Sequence, residues 1–78
     1  MWEPKNDANL IKAVNKFLEK NGWVLPDYAV FEPIIDGVDI YIGNDLILMV
    51  GLPPVSNYSI TKTEFAEKHL KVNDLAAV

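Results

Sequence analysis

The chain contains no cysteine, no arginine and a single histidine, His69. Each gap removes a class of chemistry. Without cysteine there is no disulfide, no thiolate metal ligand and no thiol nucleophile, and composition gives no sign of an oxidising compartment. One histidine argues against a zinc site, which draws on several His and Cys ligands, and no metal or other cofactor is expected. Without arginine the bidentate contacts that read guanine and clamp phosphate are missing, which argues against direct nucleic-acid binding. Long apolar runs are lacking too. The longest, Leu46-Ile47-Leu48-Met49-Val50, falls far short of a membrane span. The first residues, Met1-Trp2-Glu3-Pro4-Lys5, have neither the basic start nor the apolar stretch of a secretory leader. A cytoplasmic location without membrane association is the expectation.

What remains is a chain of 78 residues, half of them apolar, with a net charge of −4. That length reads as one small domain over residues 1–78. A domain this small buries only about 60% of its unfolded surface, so its stability margin is thin. With disulfides and metals set aside, self-association into a homodimer is the staple still open to it. The charge is unevenly spread. Residues 1–22 hold Lys5, Lys12, Lys16 and Lys20 against Glu3, Asp7 and Glu19, and residues 61–78 balance. Residues 23–60 hold Asp27, Glu32, Asp36, Asp39 and Asp45 and no base.

The pattern predicts an α+β fold of order α-β-β-β-α. Leu10, Ile11, Val14, Phe17 and Leu18 recur on one face of a 3.6-residue period, which predicts an amphipathic helix over residues 7–21. Asn6 or Asp7 can cap its start and Gly22 its end. Lys12, Lys16 and Lys20 fall on the opposite face. Trp23, directly after the stop, is expected in the core, and Trp2 on the surface. Three β runs follow, over residues 28–35, 38–42 and 46–50, as an antiparallel meander. Asp36-Gly37 and Gly43-Asn44-Asp45 are its turn signals. Pro33 cannot donate to a ladder, and a three-residue loop, Ile35-Asp36-Gly37 with a bulge at Gly37, would place it harmlessly. Val38, Ile40 and Ile42 alternate with Asp39 and Tyr41 and should meet the helix. The run 46–50 is apolar at every position, so both its faces are expected to be covered. A loop then leads to Thr61-Lys62-Thr63-Glu64, a capping-box pattern opening a second helix over residues 62–71, with Phe65, Ala66, His69 and Leu70 inward. Asp74 could cap a last short turn.

No enzymatic constellation emerges. Ser56 and Ser59 lie on no nucleophile elbow, His69 reads as a half-buried helix residue, and the acids read as solvated. The glycines stand at element ends and cradle no phosphate, and no calcium-loop spacing occurs. The chain is expected to be a non-enzymatic protein-binding module. Its acidic meander would dock on a partner protein with a basic surface, through Tyr28, Glu32, Asp36, Asp39, Tyr41 and Asp45, since tyrosine is enriched at interfaces and complementary charge speeds encounter. In size and charge alone the chain resembles small phage-encoded anti-defence inhibitors such as anti-CRISPR proteins, which implies an inhibitor or adaptor. A second expectation is a DNA-binding regulator using the C-terminal helix. Residues 65–73 resemble the first helix and turn of a helix-turn-helix, with Leu70 standing where that family usually has a small residue. A third is a structural subunit that self-associates through Leu46–Val50.

Overall fold

The computed structural model describes residues 2–52 and 57–70. A short 3-10 turn, Pro4–Asn6, leads into helix α1, Ala8–Asn21. Four strands follow: β1, Val30–Ile34; β2, Gly37–Ile42; β3, Asp45–Gly51; and β4, Ser59–Lys62. Helix α2, Glu64–Leu70, closes the described chain. The strands form one antiparallel sheet in the order β1-β2-β3-β4. The α+β class and the two helices agree with the sequence. The sheet has four strands where three are expected.

Helix α1 forms where its pattern places it. The Asp7 carboxylate accepts from the amides of Asn9 and Leu10, both at 3.1 Å, and satisfies two donors the helix leaves orphaned. The Leu10 amide above all, then the Trp2 indole, which donates to Asp7 at 3.0 Å, hold this carboxyl below its ordinary pKa. The helix ends at Gly22, whose φ of 71° is the left-handed conformation a C-cap takes. Leu10, Val14 and Leu18 are buried in one core with Val38, Ile40, Ile42, Leu48 and Val50 of the sheet. Trp23 joins that core and meets Phe17 edge to face at 6.2 Å between ring centres. Each large aliphatic side chain so buried contributes roughly 1.5–3 kcal/mol.

The first hairpin departs from its expected register. The turn is Ile35-Asp36, with Ile34 paired to Gly37. Outside glycine no described residue has positive φ, so this turn uses none. Gly37 is needed for a different reason: a Cβ there would collide with the backbone carbonyl of Val50 on β3. In a two-residue hairpin the closing pair, Ile34 and Gly37, is hydrogen-bonded, so Pro33 and Val38 form a non-hydrogen-bonded pair. The missing N–H of Pro33 therefore faces outward along the free edge of β1. The proline sits harmlessly, as its chemistry demands, but through a shorter turn than the expected bulged loop. At the second turn Gly43 carries φ of 64° in the first of two loop positions.

The all-apolar run of β3 is explained by a bulge. Ile40 pairs with Leu48 while Tyr41 pairs with Leu46, which leaves Ile47 as an extra residue. Ile47 and Leu48 are both buried, whereas Met49 is 40% exposed. The expectation that this strand is covered on both faces is thus corrected: a kink, not a second cover, buries two consecutive side chains.

Strand β4 occupies residues read from the sequence as loop and helix cap. Thr61 is a strand residue paired with Met49, and the cap of α2 lies at Thr63. The Thr63 hydroxyl accepts from the amide of Phe65 at 3.1 Å and donates to the carbonyl of Leu46 at 2.5 Å. The Thr63 amide donates to Ile47 O at 3.0 Å. Antiparallel alternation then makes Thr61–Met49 and Ser59–Gly51 the hydrogen-bonded pairs of β4, so the amides and carbonyls of Ile60 and Lys62 face away from β3. Ala66 and Leu70 of α2 are buried, and Phe65 and His69 are half-buried, as expected. The expected end of that helix at Lys71 and the turn capped by Asp74 lie outside the described residues.

Candidate functional site

Strand alternation sorts the sheet into a covered and an open face. Phe31, Pro33, Val38, Ile40, Leu48, Val50 and Ile60 share the side that contributes the core residues. The opposite side runs in three rows across the strands. Val30, Tyr41 and Leu46 form the first, and Glu32, Asp39, Met49 and Thr61 the second. Ile34, Gly37, Gly51 and Ser59 form the third. Val30, Ile34 and Met49 are exposed there at 54%, 48% and 40%. Ile35, at the tip of the first turn, is 96% exposed.

The centre of this open face is acidic. Glu32 and Asp39 are directly opposed across β1 and β2. Strand geometry puts such Cβ atoms about 4.5–5.5 Å apart, and like charges at that spacing destabilise a sheet. No lysine stands in the three rows. Among the described residues Lys62 pairs with Glu67 and His69 Nε2 meets the Asp45 carboxylate, and neither contact relieves Glu32 or Asp39.

The structure brings together three of the six residues the sequence singles out: Glu32, Asp39 and Tyr41. It separates the other three. Tyr28 is 73% exposed in the connection before β1. Asp36 lies in the turn, where its carbonyl accepts from the amide of Leu52 at 3.0 Å. Asp45 opens β3, and its carboxylate meets His69 Nε2 at 2.8 Å. That pair links α2 to the β2–β3 hairpin and gives Asp45 a structural role. The apolar members of the open face, Val30, Ile34 and Met49, are absent from the expected set. The signal that finds them is their parity with Glu32 and Asp39, which follows once the two-residue turn is known.

Other chemistry has little to stand on. Among the described residues no three His, Asp or Glu side chains converge as a metal site requires, and no helix is long and apolar enough to cross a membrane. One concave feature is a groove of about 530 Å³ between α1 and β4, lined by Lys12, Ala13, Lys16, Phe17, Lys20 and Ile60 among others. No family model, curated protein or solved structure matches the chain.

Proposed function

We propose that the protein is a non-enzymatic binding module that docks the open face of its sheet on a basic surface of a partner protein, as a small inhibitor or adaptor does. The observation that carries this reading is the opposed pair Glu32 and Asp39, relieved by no cation among the described residues and framed by exposed Val30, Ile34 and Met49, with half-buried Tyr41 beside them. A like-charge pair costs stability in the free protein. A lysine or arginine from a partner, seated between the two carboxylates, would turn that cost into a charge-assisted contact. The apolar frame would exclude water around it, the arrangement in which interface contacts gain most. Tyr41 adds an aromatic side chain with a polar tip.

Self-association through the same face is disfavoured by its own charge. A two-fold interface sets one patch against its copy. Two opposed acid pairs would then meet with no cation between them. A DNA-binding role for α2 has less support: its first turn carries Glu64 and Glu67, and Lys62 is engaged with Glu67 at 4.0 Å and with the Trp23 ring at 5.6 Å.

The test is affinity capture with the tagged protein at low and at moderate salt. A dominant basic partner retained at low salt and released at moderate salt supports the reading. Duplex DNA bound with a steep salt dependence would instead favour the regulator. Recovery of the protein alone would count against both.

A further inference from the structure

The two edges of the sheet are treated differently. On β1 the outward backbone positions are Phe31 and Pro33, and Pro33 offers no donor, which interrupts strand addition there. On β4 no proline intervenes, and Ile60 and Lys62 direct their amides and carbonyls outward. Beside this edge, which no described strand pairs, runs α1, and the groove between them has an apolar floor of Ala13, Phe17, Tyr58 and Ile60. Its helical rim is Lys12, Lys16 and Lys20, and no acid lines it among the described residues. These lysines make no ion pair among the described residues.

We propose that this groove takes an extended acidic segment of a partner protein as an added strand on β4. Two spacings coincide. Residues four apart on a helix are separated by about 6 Å along its axis. Alternate side chains of a strand are separated by about 6.6–6.8 Å. A segment with acids at alternate positions, lying along β4, would therefore set successive carboxylates opposite Lys12, Lys16 and Lys20. Its backbone would bond the outward groups of Ile60 and Lys62, the strand-addition mode of peptide recognition. The amphipathic spacing of the lysines supplies specificity for acids, and the edge supplies affinity that does not depend on side-chain identity. This site lies on the opposite side of the sheet from the Glu32–Asp39 pair and does not depend on it.

The experiment uses the full chain and a labelled peptide of about ten residues that alternates glutamate with valine, a length that covers the edge with margin. Binding is read by fluorescence anisotropy and by backbone amide shifts. The expected result is saturable binding with shifts at Ile60 and Lys62. The triple variant Lys12→Gln, Lys16→Gln, Lys20→Gln should bind roughly tenfold more weakly, the summed effect of three exposed ion pairs. N-methylating one alternate set of peptide amides should abolish binding, while methylating the other set leaves it. Equal binding of a peptide of the same composition with its acids bunched would overturn the proposal in favour of plain charge attraction. So would indifference to both methylation sets. A concentration-dependent dimer that protects the Ile60 and Lys62 amides without peptide would assign the edge to a second copy and overturn it too.

Discussion

Glu32 on β1 and Asp39 on β2 face each other directly across the first hairpin, on the side of the sheet that neither buried helix face covers. Nothing in the fold requires two acids there. Their neighbours in the row, Met49 and Thr61, are neutral. Neutralising either acid is therefore expected to stabilise the free protein. Glu32→Gln and Asp39→Asn should each raise the unfolding free energy by about 0.2–1 kcal/mol in urea melts at low salt. The gain should shrink as salt is added. Loss of stability in both variants would mean that the carboxylates make a favourable contact.

The pairing that joins these acids also shows where sequence reading stops. Asp39 and Tyr41 share a face by simple alternation, and that much is legible. Glu32 joins them because the loop has two residues, and it stands directly opposite Asp39 because those residues are Ile35-Asp36. A three-residue loop would set Glu32 opposite Ile40 on the core side. Helix α1 is legible in full, because its apolar period, its Asp7 cap and its Gly22 stop agree with one another. Strand β4 is not. Ser59-Ile60-Thr61-Lys62 is short and mostly polar, and Thr61 with Glu64 imitates a capping box two residues ahead of the true cap, Thr63. The bulge at Ile47 is likewise hidden, since an unbroken apolar run carries no mark of which residue is extra.

Gly37 tests the tight packing of β2 on β3. Its Cβ position is occupied by the carbonyl of Val50, which is backbone and cannot rotate away. Gly37→Ala is expected to cost roughly 1–3 kcal/mol, the range for overpacked sites. Gly22→Ala meets no atom within 4 Å and should cost about 1–2 kcal/mol through its left-handed φ alone. Paired denaturant melts separate the two, and an unchanged Gly37→Ala midpoint would show that the strands sit farther apart.

Asp7 sets an acid limit on α1. Its native pKa is held low, first by the Leu10 amide and then by the Trp2 indole. The ionised form is thus favoured by folding, and its contribution is fully present above the ordinary carboxylate range. That contribution is lost as pH falls through the depressed native value. Asp7→Ala should destabilise the helix at neutral pH, whereas Asp7→Asn keeps a cap and removes part of the acid dependence. Circular dichroism melts from pH 7 downward measure both.

The contact between His69 Nε2 and Asp45 Oδ2 should couple α2 to the second hairpin. A double-mutant cycle with His69→Gln and Asp45→Asn is expected to give a coupling of about 1 kcal/mol at pH 6. A coupling near zero would make the contact incidental.

The central claim is that the open acidic face is a recognition surface. Capture from lysate by the wild type, by Glu32→Lys with Asp39→Lys, and by the triple lysine-to-glutamine variant of α1 tests it most directly. The account predicts a basic partner held by the wild type and by the α1 variant and lost from the charge-reversed face. Equal recovery by all three proteins would contradict it and leave Glu32 and Asp39 as surface charge alone.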